Sequence, residues 1–387
     1  MKSDIIKLAN IANKPTKRIL GLMSGTSLDG LDIALCKITH HGKRTKLEVE
    51  KFKTVTYSQS QRALLSQHAS VPKVDLRSLC QLHTWLGRLY ADMISETLQL
   101  WQEEHQSIDL IASHGQTIYH CPGQPFYTAS NLHSTLQIVD ADVIATKTGI
   151  ITISDFRQKH IANELEGAPL VQYGDHLLYS DKKVDRILLN IGGISNLTYL
   201  PKAKAINDTI SSDVGPGNTL IDQYCQHTLG IAYDENGKIA SSGNVNDKLL
   251  IKLSQHAFFD LPLPKSTGQE LFNRAYIQRA LSECDLCHED IIATLTEFTA
   301  RTIAEAINQL TTEHTELYVS GGGVHNAFLM QRLGGLLKGT IVIKDFANLN
   351  IDPDAKEAAL FALLANETLS GEKEALPFSM GKISLPS

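Results

Sequence analysis

The sequence predicts an α/β protein made of two related halves, each with the element order βββαβαβ. Short apolar runs of strand length alternate with helix-period stripes along the chain. The segment 18–27 is echoed by the segment 186–195, and each contains an Arg-Ile-Leu run followed by a glycine-rich turn. Internal repetition favours a duplicated core over a chance similarity of two turns. A length of 387 residues allows two or three domains.

The first half contains all seven elements of this order. Leucines recur at three- and four-residue spacing between 76 and 98, which is typical of an amphipathic helix. The expected elements are strands at 19–23, at 31–38 and from 47, a helix at 76–98, a strand at 110–112, a helix at 140–147 and a strand at 150–153.

The second half begins like the first and has a longer middle segment. Its expected elements are strands from 186 and at 197–200, helices from 218 and at 291–310, a strand at 317–319, a helix from 326, a strand at 341–343 and a helix at 356–369. We therefore expect domain I at 1–155 plus about 371–387, and domain II at 156–370. An insertion at about 233–290 has no counterpart in the first half and is expected to contain its own helices.

Composition and charge exclude several classes of protein. Apolar residues make up 42% and charged residues 20%, which is far from the composition of disordered chains. The net charge of −6 supplies no positive field for a polyanion, so no nucleic-acid partner is expected. No apolar stretch suits a membrane span or a signal peptide. We expect a cytoplasmic protein with no membrane partner.

The turn between the first two strands has the composition of a phosphate-binding loop. Its sequence is Ser24-Gly-Thr-Ser-Leu-Asp-Gly30. Glycines let the backbone approach an anion, and the threonine and serine add hydroxyl donors. Asp29 and Asp32 suit Mg²⁺, which takes oxygen ligands beside a phosphate. An ordinary hairpin turn remains an equal alternative on residue types alone.

Two further glycine turns have matching chemistry. Asn190-Ile-Gly-Gly-Ile-Ser-Asn196 occupies the equivalent place in the second half, so that two such hairpins would form a nucleotide clamp. Ser320-Gly-Gly-Gly-Val-His-Asn326 follows a strand and opens a helix, where a diphosphate or a nucleoside could lie. A P-loop is not expected, because the Lys265-Ser-Thr run has no glycine before it to wrap a phosphate.

Asp213 is the candidate catalytic base. It is expected just after the strands of the second half, and Gly215 and Gly217 leave room for a substrate beside the carboxylate. Phosphoryl transfer to a hydroxyl needs a group that orients the nucleophile and accepts its proton. The alternative is a capping or turn aspartate.

Three other polar segments have both a functional and a structural interpretation. His114 and Gln116 follow a predicted strand, and Arg157 follows the last strand of the first half. Glu357 begins the final helix, where an acidic residue also suits the helix dipole.

The motifs together resemble those of the anhydro-N-acetylmuramic acid kinases in order and spacing from about residue 18 to the final helix. They are Met23-Ser-Gly-Thr-Ser-Leu-Asp-Gly30, Ser113-His-Gly-Gln-Thr117, Gly167-Ala-Pro-Leu170, Leu189-Asn-Ile-Gly-Gly-Ile-Ser-Asn-Leu197, Asp213-Val-Gly-Pro-Gly-Asn218, Pro264-Lys-Ser-Thr-Gly268 and Ser320-Gly-Gly-Gly323. The resemblance implies a duplicated actin-like (ribonuclease H-like) ATPase fold, with two domains around a cleft, and a homodimer.

The resemblance also implies a reaction and roles for individual residues. ATP phosphorylates the sugar O6 while water opens the 1,6-anhydro bridge, giving N-acetylmuramic acid 6-phosphate and ADP in cell-wall recycling. Asp213 would activate the water, and Mg²⁺, with Asp29 and Asp32 as its candidate ligands, would accompany ATP. The residues expected to bind ATP are Gly25, Thr26, Ser27, Leu28, Asp29, Gly30, Leu31, Asp32, Gly192, Gly193, Asn196, Gly321, Gly322, Gly323 and Asn326. Those expected to bind the sugar are His114, Gln116, Arg157 and Glu357.

The segment 158–166 departs from the family pattern near the expected sugar site. His160 stands where the family has an acid, and Glu164-Leu165 replaces two glycines. Gln269 stands where the family has an arginine. Another anhydrosugar such as levoglucosan, or an ordinary sugar, therefore stays open as the substrate. An actin-like protein that changes conformation with its nucleotide is the alternative from another class.

Overall fold

The computed structural model describes residues 3–282, 285–349, 352, 354–371 and 378–386. Within them, the strands are β1 (Thr16–Ser24), β2 (Gly30–Thr39), β3 (Lys46–Thr56), β4 (Leu110–Phe126), β5 (Ala129–Ile138), β6 (Thr152–Ser154), β7 (Asp185–Ile191), β8 (Ile194–Leu200), β9 (Ile210–Pro216), β10 (Thr315–Ser320), β11 (Ile341–Asp345) and β12 (Lys382–Ser384).

The α-helices of the same residues lie between and after these strands. They are α1 (Ser3–Ala12), α2 (Gln59–Ser66), α3 (Leu76–Trp101), α4 (Ala141–Thr148), α5 (Arg157–Ala162), α6 (Val171–Tyr179), α7 (Thr219–Tyr224), α8 (Lys238–Ser242), α9 (Asp247–Ser254), α10 (Arg274–Leu281), α11 (His288–Leu310), α12 (Ala327–Leu336) and α13 (Lys356–Ser370).

The two sheets share one topology. The first runs β12-β6-β4-β1-β2-β3, with β5 paired to β4, and the second runs β11-β10-β7-β8-β9. In each sheet three consecutive strands form an antiparallel meander. The first strand of the meander pairs in parallel with a later strand, β4 or β10, and that strand pairs in parallel with β6 or β11. The predicted duplicated actin-like α/β fold is confirmed.

The chain divides into two compact units, 1–178 with 350–387, and 179–349. This division differs from the predicted boundaries at 155/156 and 370/371, because α5 and α13 pack with the first sheet. Phe156 contacts Phe361 of α13 with ring centroids 5.3 Å apart. The backbone of α13 lies so close to Gly21 that no side chain would fit at position 21. A Cβ added to Gly21 would lie 1.9 Å from the Ala358 carbonyl oxygen.

Each unit has its own hydrophobic core. In the first, one face of α3 packs against the sheet through residues that include Leu86, Tyr90 and Ile94. In the second, α11 contributes to two clusters, one with the β7 and β10 side chains and one with α7 to α10. The structure places α8, α9 and α10 within the segment 233–290.

Two local expectations were wrong. The strand predicted at 110–112 continues to Phe126 and turns back as β5, so His114 and Gln116 lie inside β4 rather than after a strand. This extension is exposed along much of its length, so its polar sequence lacks the apolar run used to recognise a buried strand. Likewise, Asp213 lies within β9 rather than in a segment after the strands.

Candidate functional site

The first glycine turn lies at residues 25–29, between the antiparallel strands β1 and β2. Leu28 has a φ of 57°, in the left-handed region, and its side chain is buried. The Tyr57 N–H donates to the Asp29 carbonyl at 3.0 Å. Thr26 and Ser27 are exposed. The turn is therefore anchored at its far end, while its hydroxyls remain accessible to a ligand.

A buried hydrogen-bond chain supports this turn from inside the sheet. Ser24 Oγ donates to Gln116 Oε1 at 2.6 Å and lies 2.9 Å from the Tyr57 hydroxyl, which lies 3.0 Å from the Tyr90 hydroxyl. Gln116 Nε2 donates to the Gly25 carbonyl at 3.2 Å. Both ends of this fully buried amide are hydrogen-bonded to the turn and its flanking residue, so Gln116 fixes the position of Gly25.

His114 and Arg157 form a pair beside this network. Arg157 Nε donates to His114 Nε2 at 2.9 Å, so that nitrogen carries no proton and Nδ1 donates to the Gly115 carbonyl. Burial, followed by the Arg157 charge, lowers the pKa of His114 to about 3. The imidazole is therefore neutral at physiological pH and acts as an acceptor that orients the guanidinium.

Glu357 lies in the first turn of α13, where Gly21 lets the helix approach β1. Its side chain is accessible to solvent, yet the surrounding protein, followed by the charge of Asp32, raises its pKa. The preceding residue anchors the helix, because Lys356 Nζ lies 2.8 Å from Oδ1 of the buried Asp175. The start of α13 is thus fixed from two sides.

Three carboxylates of the first unit influence one another near the glycine turn. Burial raises the pKa of Asp32, a hydrogen bond from Thr54 opposes this, and the charges of Asp354 and Asp29 add to it. The Thr54 hydroxyl donates to Asp32 Oδ1 at 2.6 Å, and Arg62 pairs with Asp29 at 3.2 Å. A divalent cation would relieve the repulsion at Asp32.

The donor set at Asp29 and Asp32 suits Mg²⁺ in its usual mode. Mg²⁺ is commonly held by one or two carboxylates together with waters and substrate phosphates, rather than by an all-protein cage. No group of three or more His, Cys, Asp or Glu side chains is arranged to hold a metal within the part of the chain that the structure describes.

In the second unit the glycine turns converge on one another. The N–H groups of Gly217 and Asn218 donate to the carbonyls of Gly193 and Gly192, each at 2.8 Å. A Cβ on Gly217 would lie 2.2 Å from the Gly192 carbonyl oxygen, and one on Gly323 would lie 2.3 Å from Cγ2 of Ile191. Three separate sequence motifs thus form one glycine-lined surface, which we call the glycine cluster (192–193, 217–218 and 321–323).

Asp213 is held by one carboxylate oxygen. Its Oδ2 accepts hydrogen bonds from the Thr267 N–H at 2.9 Å and the Ser266 hydroxyl at 3.2 Å, while Oδ1 has no partner among the described residues. Burial raises the pKa of Asp213, the two hydrogen bonds oppose this, and Glu270 adds to it. Asn196 is its cross-strand neighbour on β8. A fixed carboxylate with one uncommitted oxygen can accept a proton.

The segment 264–268, which holds Asp213, was not among the predicted site residues. Its backbone also pairs with β9, since the Asp213 N–H donates to the Lys265 carbonyl at 3.0 Å. The Lys265 ammonium instead lies 4.4 Å from the centre of the Phe258 ring and donates to the Phe258 carbonyl. Its lysine therefore does not act as a P-loop lysine would. The Pro-Lys-Ser-Thr-Gly motif was the signal that could have located this loop.

A cavity of about 500 Å³ lies beside the glycine cluster. Gly322, Asn218 and Asn326 line one side, and Asp222 and Tyr233 are also in its wall. Asn326 Oδ1 accepts from the Leu329 N–H and so caps α12, while its amide nitrogen has no hydrogen-bond partner among the described residues. Burial raises the pKa of the Asp222 carboxyl to about 6. The cavity has the volume expected of a small-molecule site.

The predicted site residues thus form one group in each unit. Residues 25–32, His114, Gln116, Arg157 and Glu357 belong to the first unit, and Gly192, Gly193, Asn196, Asp213, Gly321, Gly322, Gly323 and Asn326 belong to the second.

Comparison with known proteins identifies the family. Residues 17–385 match the family described as anhydro-N-acetylmuramic acid kinase. The chain belongs to this family. It is 49% identical to the anhydro-N-acetylmuramic acid kinase of Pseudoalteromonas translucida (strain TAC 125) over 99% of each chain. It is 37% identical to that of Bacillus thuringiensis subsp. konkukian (strain 97-27) over 94% of this chain and 96% of the relative.

A solved structure is also similar over most of the chain. It is the activator of 2-hydroxyisocaproyl-CoA dehydratase from Clostridium difficile with bound ADPNP, at 10% identity and a TM-score of 0.41, over 91% of this chain and 95% of that one. Membership of the anhydro-N-acetylmuramic acid kinase family rests on the sequence relatives alone. It confirms the predicted resemblance and places the chain among the sugar kinases.

His160 stands where the motifs predict an acid. Its side chain is hydrogen-bonded within its own loop. Its Nδ1 accepts from the Gly167 N–H at 2.8 Å, and its Nε2 lies 3.1 Å from the Tyr173 hydroxyl. Burial, followed by the Arg157 charge, lowers its pKa to about 4. The histidine is therefore neutral and ties α5 to the loop before α6.

Gln269, the other departure near a predicted ligand site, lies against the glycine cluster. A Cβ on Gly193 would lie 2.8 Å from Gln269 Nε2. The side chain is exposed, so its amide is accessible to a ligand at the 192–193 turn. The amide offers a neutral donor at the position where the motifs predict an arginine.

Proposed function

We propose that this chain is an ATP-dependent kinase that hydrolyses the 1,6-anhydro bridge of 1,6-anhydro-N-acetylmuramic acid and phosphorylates O6. The products are N-acetylmuramic acid 6-phosphate and ADP, and the role is in peptidoglycan recycling. The observation that carries the proposal is the Asp213 carboxylate, held through Oδ2 with Oδ1 uncommitted, in a chain of this family.

The chemistry follows from one proton transfer. Asp213 Oδ1 accepts a proton from water, whose oxygen bonds to the anomeric carbon as the bond from that carbon to O6 breaks. O6 keeps the bonding electrons and attacks the γ-phosphorus, and the bond from that phosphorus to the β-bridging oxygen breaks to release ADP. Because O6 is freed as a nucleophile by ring opening, one base serves both events. Mg²⁺, when bound, would neutralise phosphate charge during transfer.

We assign the binding roles according to the local structure. The exposed hydroxyls of Thr26 and Ser27 and the glycine cluster bind ATP phosphates, with Mg²⁺ at Asp29 and Asp32. The cavity at Asn326 and Gly322 takes the nucleoside. Arg157, oriented by His114, binds the sugar together with Glu357, and Gln116 supports the site through Gly25.

A direct assay tests the function. Purified protein is incubated with Mg-ATP and a panel of anhydrosugars and ordinary sugars, and products are identified by mass. The expected product from the anhydromuramic substrate carries one added phosphate and one added water. A product that gains phosphate without water would exclude the coupled mechanism, and turnover of ATP without any sugar would favour the nucleotide-driven conformational protein.

The rate of the reaction is expected to fall as the pH is lowered. The fall should begin at a higher pH than if Asp213 had the pKa of an exposed aspartate. Only deprotonated Asp213 can accept a proton, and its pKa is raised. As pH falls through that raised value, the active form is lost. Ser266→Ala removes a hydrogen bond that stabilises the carboxylate, so the acid limb of kcat/KM should move to still higher pH. The check is a pH profile of both proteins, with Ser241→Ala as the matched surface control. An acid limb that stays in place in Ser266→Ala would remove Asp213 as the titrating group.

We also propose a homodimer in the cytoplasm, as in the family the motifs resemble. No helix among the described residues is both long and apolar enough to cross a bilayer. Light scattering during size-exclusion chromatography tests the proposed homodimer. A measured mass equal to that of one chain would contradict it. Cell fractionation tests the location.

A further inference from the structure

The orientation of the Gln116 amide sets the direction of the buried hydrogen-bond chain beneath the first glycine turn. Its Nε2 lies 3.2 Å from the Gly25 carbonyl and 3.5 Å from the Thr117 carbonyl. Carbonyl oxygens only accept hydrogen bonds, so the NH₂ end of the amide faces both of them. The other end is Oε1, which can only accept, and the Ser24 hydroxyl donates to it at 2.6 Å.

The two tyrosine hydroxyls of this hydrogen-bond chain donate in the same direction. The single hydroxyl proton of Ser24 goes to Gln116, so the Tyr57 hydroxyl donates to Ser24 Oγ at 2.9 Å. The Tyr57 proton is then used, so the Tyr90 hydroxyl donates to Tyr57 Oη at 3.0 Å. Burial raises the pKa of both tyrosines, so both keep their protons. The hydrogen bonds therefore run one way, from Tyr90 in α3 to the Gly25 carbonyl.

The Gly25 carbonyl in turn orients the peptide group that it shares with Thr26. This peptide bond is trans, so its C=O and its N–H point in opposite directions. Because the C=O is directed at the buried Gln116 amide, the Thr26 N–H is directed away from it. That N–H has no hydrogen-bond partner among the described residues, and Thr26 is exposed. An oriented N–H in an exposed glycine turn can donate to an anion.

Tyr57 is hydrogen-bonded to both sides of the turn. Its hydroxyl donates to Ser24, which precedes the turn, and its backbone N–H donates to the Asp29 carbonyl at the far end. A phenylalanine at position 57 would keep the ring and the backbone bond and lose only the hydroxyl. The contribution of the hydrogen-bond chain can therefore be separated from the anchoring of the turn.

We propose that Tyr57 is a positioning residue for phosphate binding and that Tyr90 orients its hydroxyl. Through the hydrogen-bond chain they set the Gly25–Thr26 peptide so that its N–H donates to a phosphate oxygen of ATP. The inference rests on the proposed function, which assigns ATP phosphates to this turn. Neither tyrosine belongs to one of the sequence motifs, and both act through the Gln116 amide rather than on the ligand.

The first test is Tyr57→Phe with three ligands. By titration calorimetry, the Kd of ATP and the Kd of ADP should each rise by about 5- to 15-fold, the effect of losing one buried hydrogen bond. The Kd of adenosine, which has no phosphate, should stay at the wild-type value. In turnover, KM for ATP should rise by a larger factor than kcat falls. Equal weakening of ATP and adenosine, or no weakening of ATP, would overturn the proposal.

Tyr276→Phe is the matched control. Tyr276 is also buried, and its hydroxyl donates to the Leu253 carbonyl in the second unit, away from the hydrogen-bond chain. This variant should lose thermal stability to a similar extent as Tyr57→Phe and keep the wild-type Kd for ATP. A loss of ATP affinity as large as that of Tyr57→Phe would mean that general destabilisation explains both variants.

A double-mutant cycle tests whether Tyr57 acts through Ser24. Ser24→Ala interrupts the hydrogen-bond chain at the next position, so adding Tyr57→Phe to it should change the Kd of ATP by less than about twofold. Losses that multiply, with all variants folded by circular dichroism, would show that Tyr57 acts by another route. Tyr90→Phe should raise the Kd of ATP by a smaller factor than Tyr57→Phe, and no rise would remove Tyr90 from the proposal.

This inference and the proposed function fail in distinguishable ways. ATP binding that weakens in Tyr57→Phe, in a protein that transfers no phosphate to a sugar, would refute the proposed function and leave the inference standing. Phosphoryl transfer by the wild type, with unchanged Kd and KM for ATP in Tyr57→Phe, would refute the inference alone.

Discussion

Asp213→Asn is expected to reduce kcat by about 10²- to 10⁴-fold, the usual contribution of a general base. An asparagine can still accept hydrogen bonds from Ser266 and Thr267 through its carbonyl oxygen, so the loop 264–268 should keep its place. It cannot accept the proton of the attacking water. ATP affinity should persist, because the glycine cluster does not depend on the carboxylate. The measurement is ADP release under saturating ATP and sugar, with ATP binding followed by calorimetry.

Asp345→Asn provides the matched control for this variant. Asp345 is exposed at the end of β11 and accepts from the Ala347 N–H at 2.9 Å. The control should keep wild-type kcat. Normal turnover by Asp213→Asn would withdraw the base assignment, and loss of ATP binding would show that the substitution disturbs more than proton transfer.

Gly21→Ala is expected to destabilise the first unit by about 1–3 kcal/mol, the usual effect of forcing an extra carbon into a packed core. The added Cβ would lie 1.9 Å from the Ala358 carbonyl oxygen and 3.2 Å from the Ala362 nitrogen. Both are backbone atoms that cannot rotate away, so α13 must move off β1. Since Glu357 lies at the start of α13, KM for the sugar should rise as well. Thermal unfolding and sugar titration measure the two effects.

The control for Gly21→Ala is Gly335→Ala in α12, where an added Cβ would meet no atom within 4 Å. Alanine favours a helix by up to about 1 kcal/mol over glycine, so this variant should be neutral or more stable. If Gly21→Ala melts at the wild-type temperature with unchanged sugar affinity, the close packing of α13 does not position Glu357.

Element type and order were predictable because the chain alternates regular apolar patterns with glycine turns. The leucine stripe at 76–98 became α3, and the strand-turn-strand units at 18–38 and 186–200 became β1–β2 and β7–β8. The β4–β5 hairpin was missed, since its exposed strands carry no apolar run. The boundary after 178 was missed because membership of a unit depends on packing across the sequence, as between Phe156 and Phe361.

The chemical identity of the site residues was local information, whereas their roles were not. Each glycine turn, the Asp213 motif and the other motifs are short contiguous segments. The sequence alone therefore determined the family, the duplicated fold and the candidate base. Only the tertiary structure showed that the Gln116 amide is hydrogen-bonded to the glycine turn, and that Ser266 and Thr267 donate to Asp213. It alone also showed that Gly167 is hydrogen-bonded to both His160 and Arg157. The physical reason is that a hydrogen bond depends on the distance and direction between atoms, and folding brings together residues that sequence spacing leaves far apart.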